Sequence, residues 1–364
     1  MSRLYRLLGG IVRQSPPPQH PRTILILKPC CIGDVVMATP LLEAIRRTYP
    51  HARILFAVGR WSRGVLADNP AINAFVDVGE SANPAKGVKG MWRLVRQLRH
   101  EKCDMAFLPD RSPLLGLAVW LARIPHRVGL DSLGRGFAHT VRVPVHPNEE
   151  INEASIYLRL ASAIGIPTEG IYTHIAIPAP IQAQIEPTLA DIPEPYIVIN
   201  PAGGANPGMV MSSKRWLPRH FARLAEWLHE TYGVSIVFVG AETDRPIIDA
   251  VIEQLHIPYH DLTGKLSLME IGAVGKSAWA YIGNDTGLTH MVAATGTKTV
   301  MILGPSSPKR YAPYTPNALA LWKPIVLPTG GVAEIGQEWD WERDGIGIDE
   351  AIRAIAPFLS GGTT

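Results

Sequence analysis

The strongest constraint on this chain is a series of short, unbroken apolar runs, each followed by a loop and a stretch of helical spacing. Thr23–Lys28 (TILILK), Ala52–Val58 (ARILFAV), Ala74–Gly79 and Asp104–Pro109 (DMAFLP) form one set, with a short further strand at Arg127–Leu130. Tyr196–Asn200 (YIVIN), Val234–Gly240 (VSIVFVG), Ala280–Gly283 and Thr299–Leu303 form a second set. A strand with one wet face alternates apolar and polar residues; these runs do not, so both faces must be covered. Strands of that kind separated by helices predict a parallel sheet packed between helical layers. Among the covering helices, the basic one at Lys89–His100 is expected to turn Trp92, Leu94, Val95 and Leu98 toward the sheet.

Two sets imply two domains, and the length agrees: 364 residues exceed the roughly 250–300 at which a single core stops growing. Between the sets, residues 178–195 (PAPIQAQIEPTLADIPEP) read as a Pro-rich connector. The expected organisation is a basic segment at 1–22, a first domain at 23–178, a linker at 179–195 and a second domain at 196–340. A C-terminal segment at 341–364 carries helical spacing at Ile348–Leu359 and is expected to return to the first domain. The fold class is therefore α/β: two doubly wound domains whose strand carboxyl ends face a central cleft, where such sheets bind ligands.

Composition narrows the partners. Lys and Arg total 35 against 32 Asp and Glu, a net charge of +3, so no nucleic-acid footprint is expected. Arg3–Arg13 and Lys86–Lys102 are nonetheless locally basic and suit an anionic membrane surface, although a frayed terminus and a solvated helix face explain them as simply. The three cysteines, Cys30, Cys31 and Cys103, cannot build a disulfide framework and lack zinc-site spacing, so a reducing cytoplasmic setting is the simplest reading. No apolar run approaches the roughly 20 residues that cross a bilayer.

The loops after the strands carry the chemistry. The first, Lys28-Pro29-Cys30-Cys31-Ile32-Gly33-Asp34, lacks the glycine pattern of a dinucleotide site, and no P-loop occurs anywhere. Asp34 is either a helix N-cap or a carboxylate aimed at the cleft as a general base. In the second set, Gly203 and Gly204 follow the first strand and let backbone N–H groups approach an anion. Ser212, Ser213, Lys214 and Arg215 lie just before a helix, where cations oppose the helix dipole unless an anionic ligand joins them. Glu242 follows a strand and suits either a ribose hydroxyl or a helix N-terminus. In Gly283-Asn284-Asp285-Thr286-Gly287-Leu288-Thr289-His290, a strand runs into a helix, so the amides of Thr286, Gly287 and Leu288 suit a diphosphate. Asp285 either caps that helix or orients the loop, and His290 faces the phosphates or sits in the core. No cluster has metal-ligand spacing, so no metal and no cofactor are expected.

The segment ILILKPCCIGDVVMATPLLEAIRRTYPHARI resembles the opening of glycosyltransferase family 9, the ADP-heptose:lipopolysaccharide heptosyltransferases. The resemblance continues through KRWLP, GAE, KLSLMEIGAVGKSAWAYIGNDTGLTH and TVMILGPSSPKRYAPY, from about Thr23 to Tyr314. It implies a GT-B fold of two Rossmann-like domains and metal-independent, inverting transfer of a heptose-like sugar from an ADP-sugar to a glycolipid or polysaccharide acceptor. By the same resemblance Asp34 is the base, Lys214 meets the donor phosphates, and Glu242 lies near the ribose and adenine. Asp285, Thr286, Gly287, Leu288 and His290 surround diphosphate and sugar, with Ser212 and Ser213 supplying hydroxyls. Cytoplasmic placement, peripheral at the inner membrane face, goes with that acceptor. The loop between Gly204 and Lys214 is longer than the family pattern and contains Pro207, Met209 and Met211, and Cys30-Cys31 replaces small polar residues. These departures leave the reaction type intact and the exact donor and acceptor open, another sugar nucleotide or a protein acceptor included; the rival readings of the chain are a nucleotide-sugar epimerase and a non-catalytic nucleotide-sugar-binding module.

Overall fold

The computed structural model describes residues 15–80, 83–206, 209–325 and 339–361. The basic segment Arg3–Arg13 and Pro207 lie outside them. The chain divides into two units, one ending at Thr173 and the other beginning at His174.

In the first unit the apolar runs become β1 (Thr23–Leu27), β2 (Arg53–Val58), β3 (Ala74–Asp77), β4 (Met105–Leu108) and β5 (His126–Asp131), joined by β6 (Val141–Pro144). The sheet is parallel throughout, in the order β3-β2-β1-β4-β5-β6. Leu25, Leu27, Leu55, Ala57, Ala106 and Leu108 face Leu94, Val95, Leu98, Leu115 and Val119 of two covering helices, Gly87–His100 and Pro113–Leu121. Trp92 does not join them. Met91, Leu94, Val95 and Leu98 follow the i, i+3, i+4, i+7 stripe, and Trp92 falls outside it, 52% exposed.

The second unit repeats the plan. Its parallel sheet runs β11 (His260–Asp261), β10 (Ser235–Phe238), β7 (Tyr196–Asn200), β12 (Ala280–Asn284), β13 (Thr299–Ile302) and β14 (Ala318–Leu321). A short antiparallel pair, β8 (Ala205–Asn206) and β9 (Met209–Val210), stands apart from it. In both sheets the chain winds outward one way from the first strand and then the other way. The ligand-binding end of such a sheet is where that direction reverses, beside β1 and β4 in one unit and beside β7 and β12 in the other.

Two expectations change here. Within the stretch read as a connector, Ala179–Ala190 is a helix that buries Ile185 and docks on the Leu268–Ser277 helix, with Gln182 Nε2 donating to Ser277 Oγ at 3.2 Å. Pro180 lies in its first turn, where no N–H bond is lost, and Pro187 lies inside the helix. The Ile348–Leu359 helix packs within the second unit: Ala351, Ile355 and Leu359 join Trp216, Phe221 and Leu224 in its core. Its apolar stripe complements the Pro218–Tyr232 helix, and Lys298 Nζ donates to the Leu359 carbonyl at 3.1 Å.

Candidate active site

In the first unit, β1 delivers Lys28 and the loop that follows it to the direction reversal. The next helix, Ile32–Met37, has Cys31 as its N-cap without a side-chain cap bond, so Asp34 is not the cap; it sits in the first turn. The Asp34 side chain is 34% exposed. Its Oδ1 accepts from the Tyr157 hydroxyl at 3.3 Å, and its Oδ2 lies 3.6 Å from Lys28 Nζ. Cys30 and Cys31 are joined by a disulfide in this loop, where reduced thiols were expected.

Lys28 is nearly buried, with its ammonium donating to Asp110 Oδ2 at 3.2 Å and standing 5.4 Å from the Tyr157 ring centre. Burial alone favours the neutral amine, but Asp34, Tyr157 and Asp110 outweigh it and hold the Lys28 pKa well above its ordinary value. Burial, then the Asp34 carboxylate, push the Tyr157 phenol well up, so it stays a hydrogen-bond donor. Asp110 follows β4 and also accepts from the Ser112 amide at 2.8 Å. Next to it, Arg111 makes a bidentate pair with buried Glu153 at 2.8 and 3.1 Å. Glu153 opens the helix that carries Tyr157.

In the second unit, the loops after β7 and β12 are tied together by Asn284. Its Nδ2 donates to the Pro201 and Ala202 carbonyls at 2.8 and 3.2 Å, and its Oδ1 accepts from the Trp216 amide at 3.0 Å. That clamp fixes the glycine loop and the Lys214 segment at once. Gly203 has φ +115°, and a Cβ there would run into Thr286 Cγ2, so only glycine lets the two loops touch. Lys214 ends a short turn, Ser212–Lys214, and donates to Asp285 Oδ2 at 2.6 Å. Asp285 is buried; burial raises its pKa, but Lys214 and His290 outweigh burial and bring it below the ordinary value. The Gly287–Ala293 helix is capped by Thr286, not Asp285, and buried His290 lies in it beside Asp285.

The structure thus brings Gly203 to Thr286, and Lys214 and His290 to Asp285. Gly287 and Leu288 occupy the first turn of the helix that Thr286 caps. Arg215 serves the loop itself, its Nε donating to the Gly203 carbonyl at 2.7 Å. The buried Ser213 hydroxyl has no hydrogen-bond partner among the described residues, and Ser212 is in the same turn. Glu242 is exposed at the start of a turn after β10, with its carboxylate against Gly264. Lys28, Asp110, Tyr157 and Asn284 were missed as site residues. The sole signal for the first two is a charged residue just past an apolar strand. Tyr157 has none, because its role depends on a helix about 120 residues downstream of the base.

Among the described residues, no group of three His, Cys, Asp or Glu side chains is placed to hold a metal ion, and no helix is long and apolar enough to cross a membrane.

The sequence profile described as glycosyltransferase family 9 (heptosyltransferase) matches residues 91–328. Lipooligosaccharide heptosyltransferase 2 of Haemophilus influenzae is 25% identical over 323 residues, covering 81% of this chain and 87% of that protein. Among solved structures, a family 9 glycosyltransferase from Veillonella parvula superposes with a TM-score of 0.79 at 22% identity, covering 95% of this chain and 100% of that one. The E. coli ADP-heptose lipopolysaccharide heptosyltransferase II superposes with a TM-score of 0.72 at 21% identity, covering 93% and 99%.

Proposed function

The chain belongs to glycosyltransferase family 9 and is a glycosyltransferase of GT-B fold, and from that premise we propose that it moves a heptose from an ADP-heptose donor to a hydroxyl of a lipopolysaccharide-type glycolipid. The observation that carries this reading is Lys214, a half-buried cation seated on Asp285 beside the start of the Gly287–Ala293 helix. A lysine has three N–H donors. One is donated to Asp285, and an ammonium at this place beside a helix start suits the donor's phosphates.

In the proposed reaction Asp34 takes the proton from the acceptor hydroxyl as that oxygen attacks the anomeric carbon. The bond from that carbon to the diphosphate oxygen breaks, and its electron pair leaves on ADP, inverting the centre. Lys214 and the first amides of the Gly287–Ala293 helix meet the charge that develops on the leaving group, the role a metal plays in other transferases. Ser212 and Ser213 add hydroxyls, Glu242 takes the ribose, and Thr286 with Gly203 shapes the loop around the diphosphate. A metal-independent reaction follows from that division of labour.

Cytoplasmic placement with peripheral contact at the inner membrane face is part of the same reading. The Gly87–His100 helix supports it: Val88 is 75% and Trp92 52% exposed, and neither Lys89, Arg93 nor Arg96 makes an ion pair among the described residues.

A thermal-shift screen tests the donor site. ADP and ADP-heptose should raise the melting temperature, UDP and GDP should not, and Lys214→Met should abolish the ADP shift. Equal shifts with all three nucleotides would sink the ADP assignment.

A further inference from the structure

Lys28 is a strand-end lysine with almost no access to water, and such a charge survives only when paired. Two carboxylates face it, at unequal distances. Asp110 is within hydrogen-bonding range at 3.2 Å, and it is itself anchored by the Ser112 amide. Asp34 is at 3.6 Å, close enough to feel the charge but beyond a direct hydrogen bond. The Tyr157 hydroxyl occupies Asp34 Oδ1, which leaves Oδ2 with no hydrogen-bond donor among the described residues.

We propose that Lys28, Asp110 and Tyr157 are positioning residues that fix the Asp34 carboxylate with Oδ2 free to accept a proton, Asp110 serving as the counter-ion that Lys28 keeps when Asp34 becomes neutral. The proposal rests on Asp34 being the base. Its logic is a count of charges. One ammonium sits between two carboxylates, so the group is −1 before proton transfer and 0 after it. At no point is a buried ammonium left alone. With a single carboxylate partner, accepting the proton would orphan Lys28 in a dry site, and the transfer would be opposed by the cost of an unpaired buried charge. Tyr157 does not compete for the proton, because its phenol stays protonated beside the Asp34 charge. The other charges near the cluster, Arg111 and Glu153, are matched to each other.

The count predicts shifts of opposite sign, which a merely structural role would not produce. The readout is the acid limb of kcat/KM against pH, with ADP-heptose and a heptose-deficient lipopolysaccharide as substrates. Lys28→Met removes the cation, so the limb should move up by about one pH unit or more, with donor KM unchanged. Lys28→Arg should bring it back toward wild type. Asp110→Asn leaves Asp34 as the sole counter-ion, so the limb should move down and kcat should fall about tenfold or more. Tyr157→Phe should move it up by less than Lys28→Met. Circular dichroism checks that each variant is folded; should Lys28→Met fail to fold, the Asp110→Asn and Tyr157→Phe shifts decide. Limbs unmoved in these variants, or an Asp110→Asn limb moved in the same direction as those of Lys28→Met and Tyr157→Phe, would overturn the proposal. Asp34→Asn separates the two claims: a dead Asp34→Asn with unmoved limbs elsewhere removes only the positioning network, whereas an active Asp34→Asn removes the base.

Discussion

Burial holds the His139 imidazole neutral and pushes its pKa down to about 3, with Arg127 and Arg142 adding to the effect. The ring occupies the space a Cβ would need at Gly129 and lies against Gly116, so glycine at both positions makes its pocket. An imidazole in the unfolded chain titrates near about 6.5. Above that pH both states are neutral and the group adds no pH dependence. Between about 6.5 and about 3 the unfolded chain binds a proton that the folded one refuses, so stability falls as pH falls. The contribution is up to about 1.4 kcal/mol per pH unit. Denaturant unfolding from pH 7 to pH 4 should therefore be less steep in His139→Gln than in wild type; parallel curves would show that His139 is not the source. The residue scale is also where sequence reading stops short. Asp34, Lys214 and Asp285 stand out as charged residues on strand-end loops. Asn284 stands in the same motif, yet its clamp on Pro201, Ala202 and Trp216 joins loops about 70 to 80 residues apart, and no local pattern announces it.

At the scale of elements, what was legible depended on whether one pattern excluded the alternatives. Continuous apolar runs such as TILILK and YIVIN have one comfortable home, a strand covered on both faces, and both are strands. Short edge strands carry no such mark: β11 has two residues and β14 four, only one of them fully buried. Proline misled in the opposite direction. Residues 179–190 have a composition that suits a connector, but a proline in the first turn costs a helix nothing, and docking on Leu268–Ser277 compensates for Pro187 farther along. The C-terminal helix was legible as a helix and not as to its partner, because an amphipathic stripe says that a face is buried and not against what. Its place in the second core makes a specific prediction. Ile355→Ala should cost about 2–5 kcal/mol and lower the melting temperature by several degrees. ADP should still bind to the folded fraction. An unchanged melting temperature would mean that this helix contributes little to the core.

Taken whole, the molecule uses one device twice. In the first unit a lysine past β1 pairs with an aspartate past β4, Lys28 with Asp110 at 3.2 Å. In the second a lysine past β7 pairs with an aspartate past β12, Lys214 with Asp285 at 2.6 Å. The strands are equivalent in the two sheets, and each pair stands where the strand order reverses. Such a position gathers loop ends from two strands at one point, which is why chemistry collects there. The pairs differ in what they face: one stands beside the partly exposed carboxylate of Asp34, the other beside a glycine loop and a helix start, an arrangement that suits an anion. Fold alone would not separate a base from a phosphate site; these side chains do. The proposal that most needs testing is that Asp34 accepts the proton during transfer. The most direct measurement is ADP release from ADP-heptose with a heptose-deficient lipopolysaccharide acceptor, in buffer containing a metal chelator, for wild type and Asp34→Asn. Wild type should release ADP only when acceptor is present, and Asp34→Asn should release it at least about a hundredfold more slowly with ADP affinity unchanged. Release by Asp34→Asn at near the wild-type rate would contradict that proposal.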